Sequence, residues 1–210
     1  MNVDLRSLFR SAFETFLNVE RSNIASGVSE RSLCARLAMV LEPAAHEQGL
    51  TAYRADVEYN RGRGDKVKVI VDHRYHVMKV TCDLVLHGRG LIQPDNLLAI
   101  EMKRHSHAEG DKEDDRVRLR AMTGEAQHLV DYRTGRPVEH VSGYALGYLV
   151  ELMRGGWFKV EEYAGGRQVG EWRSERPEST GGRRRDARPL EQAADLFGTF
   201  PDLELVDRQT

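Results

Sequence analysis

Thr81-Cys-Asp-Leu-Val-Leu-His87 and Asn96-Leu-Leu-Ala-Ile-Glu-Met-Lys103 are the two segments on which the reading of this chain turns. Side chains alternate faces along a strand. In the second segment Leu97, Ala99, Glu101 and Lys103 share one face, and Leu98, Ile100 and Met102 share the other. Both faces begin apolar, which predicts a central strand covered on both sides. In the first segment Cys82, Leu84 and Leu86 share a face and Asp83 points the opposite way. If the two strands pair as neighbours, Asp83, Glu101 and Lys103 meet on one face of the sheet.

Buried charges are costly unless they are paired or bind a metal. Two carboxylates that face each other repel, which raises at least one pKa. A divalent cation removes that conflict, and Mg²⁺ needs only a few protein oxygens because it keeps several waters. Metal-bound water is a better nucleophile, and the metal offsets charge on a phosphate oxygen. A lysine beside the pair can orient that water or stabilise a pentavalent phosphorus.

The flanking sequence supplies the rest of a domain. Leu5, Leu8, Phe9, Phe13, Phe16 and Leu17 recur at helical spacing, predicting a helix over 2–19. A second helix is expected from Ser29-Glu30 to about Gln48, with Gly49 as its stop. Residues 52–59 alternate as a half-buried strand, and further strands are expected at 66–72, 78–87 and 97–103. The turn from Gly88 to Asn96 suits an antiparallel return between the last two. A helix is expected over 112–130, with an acidic first turn (Glu113, Asp114, Asp115) and a buried stripe of Leu119, Met122, Ala126 and Leu129. Strands at 143–153 and 157–163 then flank Arg154-Gly-Gly156. Gly, Arg, Ser, Glu and Pro dominate 165–189, which reads as a loop or flexible link, and Leu190 to Phe197 could form a short helix. The expected class is α/β, bordering on α+β: a mixed central sheet flanked by helices over residues 1–164, with a flexible link and C-terminal tail over 165–210.

Bulk properties narrow the function classes. The 210 residues are 40% hydrophobic and 30% charged, and no apolar run approaches the ~20 residues of a membrane helix. The N-terminus lacks the pattern of a secretory signal. Cys34 and Cys82 fit neither a disulfide framework nor a zinc spacing, so a reducing compartment, the cytoplasm, is expected. The net charge of −2 excludes a globally basic nucleic-acid binder. Basic residues are clustered instead: Arg61 to Lys68, Arg116 to Arg120, and Arg183 to Arg185.

Cys82-Asp83, seventeen residues, and Glu101-Met102-Lys103 together resemble the PD-(D/E)XK nuclease superfamily, whose motif is an Asp on one strand and Glu-X-Lys on the next. Cys82 stands where a Pro is usual. The resemblance implies a restriction endonuclease-like fold and Mg²⁺-dependent phosphodiester hydrolysis, with Mn²⁺ able to substitute. It implies metal ligation by Asp83, Glu101 and the Met102 carbonyl, with Lys103 as the catalytic lysine. It covers roughly residues 28–163 by motif order. Glu30 matches a helix position from which family members often reach the metal; as a first-turn acid it also suits the helix N-terminus. Val57-Glu-Tyr-Asn-Arg61 looks like the first strand of uncharacterised bacterial members, and Arg61 is a candidate nucleic-acid contact. Arg118 falls where a basic residue leans toward the site and is a candidate phosphate contact; a solvent-facing helix position is the alternative. His105 and His107 follow Lys103 closely enough to touch substrate. The partners implied are nucleic acid, DNA first, and a second copy of the chain or a larger complex, with no membrane. The alternative is a catalytically silent binding or assembly module of the same fold.

Overall fold

The computed structural model of the protein describes residues 3–59, 69–71, 77–79, 81–125, 142–153 and 157–174. The chain divides into a unit of Met1–Pro177 and a second of Glu178–Thr210, which lies outside the described residues. The elements run α1 (Leu5–Ser26), α2 (Glu30–Glu47), β1 (Arg54–Tyr59), β2 (Val69–Val71), β3 (Val77–Lys79), β4 (Cys82–His87), β5 (Asn96–Arg104), α3 (Glu109–Thr123), β6 (Leu146–Leu152), β7 (Phe158–Ala164) and β8 (Arg167–Arg173).

Six strands form one mixed sheet in the order β1-β4-β5-β6-β7-β8. All neighbours are antiparallel except β5 and β6, which run parallel with α3 between them in sequence. A parallel neighbour requires such a crossover. β5 is therefore interior, and Leu97 to Met102 are all buried, as its two apolar faces predict.

The two faces are covered differently. Leu84, Leu86, Leu98, Ile100 and Met102 join α1 and α2 in the larger core. There Phe9 stacks on Tyr148 with ring centroids 3.8 Å apart, and Phe13 meets Phe158 edge-on at 5.0 Å. Each such buried ring contributes about 1.5–3 kcal/mol through area removed from water. On the opposite face Val85, Ala99, Leu149 and Tyr163 pack with Leu119 and Met122 of α3. Gly147 on β6 makes this approach possible, because a Cβ there would lie 2.9 Å from the Thr123 methyl and 3.2 Å from Leu119.

Several expectations need correction. α1 continues past residue 19 to Ser26, because Glu20 and Ile24 extend the buried stripe and Gly27, at φ 87, supplies the cap. The strand expected over 78–87 is two strands: β3 pairs back on β2 in a separate sheet, while β4 pairs with β1 and β5. Cys82 does not share the Leu84 and Leu86 core; it packs with Val85 and Ala99, and its Sγ donates to the Ile100 carbonyl at 3.2 Å. On β1, Arg89 and His87 both bond the Asp56 carboxylate. The boundary expected at 164/165 is crossed by β8, whose Gly165-Gly166 turn, with both residues at positive φ, folds it back onto β7. The third helix spans Glu109–Thr123 rather than 112–130. Ala126, Leu129, Arg61 and the short helix at Leu190 to Phe197 lie outside the described residues.

Candidate functional site

The sheet is opened around Asp83. On one side, pairing between β4 and β5 ends at Leu84↔Ile100. On the other, Glu58 of β1 stands opposite Asp83, between the pairs Val57↔Leu84 and Tyr59↔Cys82, and takes φ 51. A non-glycine residue in that region costs on the order of 1–2 kcal/mol, and such strain gathers at functional sites. The carboxylate of Asp83 fills the gap: the Met102 backbone N–H donates to its Oδ2 at 2.9 Å.

The N–H and C=O of one strand residue project toward the same edge. The Met102 carbonyl therefore also faces the β4 side of β5. Two residues on, the Arg104 N–H donates to Glu30 Oε1 at 2.7 Å. Asp83 and Glu30 thus take successive outward N–H groups of β5, with the Met102 carbonyl between them. Glu30 does more than complement the start of α2: His107 Nε2 also lies 3.1 Å from its Oε1.

Glu101 and Lys103 occupy the α3 face of β5, and α3 meets them with two residues of its own. Arg118 Nε donates to Glu101 Oε1 at 2.9 Å, and its Nη2 donates to Asp115 Oδ1. Lys103 Nζ lies 3.1 Å from Asp115 Oδ2 and 3.9 Å from Asp83 Oδ2. Three carboxylates therefore face two cations, a net charge of −1 with all five ionised. Glu101 has no solvent exposure and Asp115 only 1%. Burial, and then the charge of Asp83, push the Glu101 carboxyl up to about 7; Arg118 and Lys103 oppose that only in part. Two oxygens, Glu101 Oε2 and Asp115 Oδ2, are buried with no hydrogen-bond partner among the described residues. Lys103 approaches the second as an ion pair without hydrogen-bond alignment.

The expected trio of Asp83, Glu101 and Lys103 is brought together. Arg118 is not a solvent-facing helix position, for its side chain is 22% exposed and tied to two buried carboxylates. The sequence reading places Asp115 only in an acidic first turn. Its signal was present: one turn back from Leu119 on the buried stripe lies 115, and one further lies Lys112, also buried. Buried Cys34 and Cys82 are held well above the ordinary thiol range, first by desolvation and then by the nearby carboxylates, so neither supplies a thiolate.

A divalent cation is compatible with this donor set. The orphaned Glu101 Oε2, the Asp83 carboxylate and the Met102 carbonyl are oxygen donors of the kind Mg²⁺ prefers. Among the described residues no three His, Cys, Asp or Glu side chains already form a metal-binding group, so water or phosphate oxygens would complete the coordination. Compared with known proteins, no family model matches this chain, and neither a curated protein nor a solved structure does.

Proposed function

We propose that the chain is a metal-dependent nuclease of the restriction endonuclease-like kind, hydrolysing phosphodiester bonds in DNA. The observation that carries the reading is the placement of Asp83 in the gap beside β5, with Glu101 and Lys103 on the face it borders. Asp83, Glu101 and the Met102 carbonyl would hold Mg²⁺ or Mn²⁺, with Glu30 within the same edge. The cation would supply an activated water and offset charge on the phosphate.

The remaining roles belong to side chains already in place. Lys103, 15% exposed and held by Asp115, presents its ammonium at the mouth of the site, where it would stabilise charge on the reacting phosphate. Asp115 is a positioning residue: it orients both Lys103 and Arg118. Arg118, with Lys103, partly balances Glu101, and its planar guanidinium is suited to a phosphate oxygen once Glu101 is engaged elsewhere.

One observation favours the silent binding module instead. Arg118 and Lys103 already pair with the carboxylates, so the cluster is close to balanced without any metal. Thermal melts with Mg²⁺, Mn²⁺ and EDTA, run beside a cleavage assay, separate the two. A nuclease gains stability from the metal, as any ligand of the folded state must provide, and cuts DNA. The silent module does neither. The cytoplasm remains the proposed compartment; no described helix is long and apolar enough to cross a membrane.

A further inference from the structure

A cavity of about 680 Å³ opens at the end of β5, lined by Gly27, Arg104, His105, Leu152, Met153 and Trp157 among others. Its volume falls in the range of small-molecule sites. Arg104 and His105 directly follow Lys103, and at ~3.3 Å of rise per residue His105 stands about 7 Å along the strand from the lysine. Glu30 links the two places, since its carboxylate holds the Arg104 N–H and lies against His107.

The lining selects the ligand. Arg104 is held in place, its guanidinium donating to the Ile24 and Val28 carbonyls. The walls combine aromatic and apolar groups with polar ones, Ser26 and Ser106 among them, which suits a ligand with an apolar face and a polar edge. Trp157 and His105 place their rings 6.4 Å apart, inclined at 43°. Leu152 and Met153 add an apolar surface, and methionine adapts readily to planar groups. The imidazole is held in place: His105 Nδ1 lies 2.7 Å from Glu151 Oε1, and Lys112 Nζ donates to that same oxygen at 2.6 Å and to the His105 carbonyl at 3.2 Å. The Lys112–Glu151 pair is buried, so the mount is rigid, and the opposite ring nitrogen of His105 is turned away from it.

We infer that this cavity receives an unpaired base of a nucleotide next to the phosphate at the Asp83–Glu101–Lys103 site, stacked on Trp157 and met at its edge by His105. Resting on the nuclease reading, this names the substrate class: nucleic acid with single-stranded character beside the scissile bond. A base in a duplex is stacked on its neighbours and must leave the helix to enter such a pocket, whereas an unpaired base enters at little cost.

The test is binding of the full-length chain, with EDTA present to prevent cleavage, to a fluorescent single-stranded oligonucleotide and to one of equal length that is abasic throughout. Base–aromatic stacking of about 1–3 kcal/mol gives the wild type about a 5- to 150-fold preference for the oligonucleotide with bases. Trp157→Ala should collapse that preference by weakening binding of the normal strand alone. Trp157→Phe keeps a stacking face and should keep most of the preference. Equal wild-type affinity for the two strands overturns the cavity assignment and leaves metal-dependent cleavage standing. So does a Trp157→Ala protein that retains the wild-type preference, or a Phe variant as impaired as the Ala one. Wild-type protein that binds neither strand, nor any duplex, overturns both the cavity assignment and the nuclease reading.

Discussion

Asp83 Oδ2 accepts the Met102 N–H at 2.9 Å, in the place a β4 carbonyl would take if the ladder continued. A side chain thus does a backbone's work where the sheet parts. It also puts a carboxylate beside the Met102 carbonyl and near the buried Glu101. Asp83→Asn can keep the bond through its amide oxygen while removing the charge that raises Glu101. The variant should melt at or above the wild type in EDTA but lose the rise in Tm with Mn²⁺. A ligand at 100 times its Kd stabilises the folded state by about 2.7 kcal/mol. Differential scanning fluorimetry checks this, and an undiminished rise in the variant removes Asp83 from the ligand set.

Glu101 makes stability depend on pH in an unusual direction for a carboxyl. Its ordinary value is 4.5 and its folded value about 7, so the folded state binds the proton more tightly. Folding therefore weakens as pH rises from 4.5 to about 7, and the loss is complete above that window, amounting to ~3 kcal/mol. Glu101→Gln carries no such penalty, and Arg118 keeps Asp115 as its partner. The variant should match the wild type near pH 4.5 and exceed it at pH 8. Urea melts across that range give the answer; a difference that does not grow with pH contradicts the burial of an ionising Glu101.

Much of this was legible in two segments of sequence. Alternation along Asn96 to Lys103 marks a strand covered on both faces, and the odd charges at its end mark the site. Period two expects Asp83 on the face opposite Leu84 and Leu86; its carboxylate is found in the gap beside β5, on the Met102 N–H. What the pattern cannot carry is where pairing stops. Residues 78–87 alternate without a break, yet β3 and β4 belong to different sheets, because strand partners are set by tertiary contacts rather than by local order. Asp115 was masked by the acids around it, and β8 by its polar, largely exposed side chains, which resemble a link when the neighbouring strand is not known. Glu58 at positive φ has no sequence signal at all.

Arg118 should act as a removable counter-ion. Arg118→Ala leaves Glu101 without its nearest positive charge, so Mn²⁺ should bind more tightly, by about an order of magnitude or more, since a unit charge ~4 Å away is worth about 1 kcal/mol in bulk water and ~4 kcal/mol at an effective dielectric of ~20. DNA should bind more weakly, with the slope of log affinity against log salt reduced by about 0.7–0.9 if a single phosphate contact is lost. Calorimetric metal titration and salt-dependent anisotropy measure the two effects separately. Unchanged values in both would make Arg118 a structural tie between α3 and the sheet.

A second ion cluster fixes the helix that carries Asp115 and Arg118. Arg116 donates twice to Glu161 of β7, and the Tyr163 hydroxyl and Lys159 also donate to that carboxylate. Burial pushes Glu161 up, but these donors outweigh it and hold it at about 2, against an ordinary 4.5. Its stabilisation is thus present above pH 4.5 and lost as pH falls toward 2. Arg116→Ala removes two of these donors while Lys159 and Tyr163 remain, and should cost about 1.5–3 kcal/mol at neutral pH. The cost should shrink in acid, which urea melts at pH 3 and pH 7 would show.

Cleavage of supercoiled plasmid, linear duplex and single-stranded DNA by wild type, Asp83→Ala and Lys103→Ala, each with Mg²⁺, Mn²⁺ and EDTA, tests the central claim most directly. The wild type should cut only with metal. Asp83→Ala should be inactive, and Lys103→Ala should stay folded and lose about 10²–10³ in rate through the missing electrostatic donor. Wild-type cleavage that survives EDTA, or activity that persists in both variants, places the chemistry elsewhere. No cleavage of any substrate with any metal, joined with no metal-induced stabilisation, contradicts the nuclease and leaves the silent binding module.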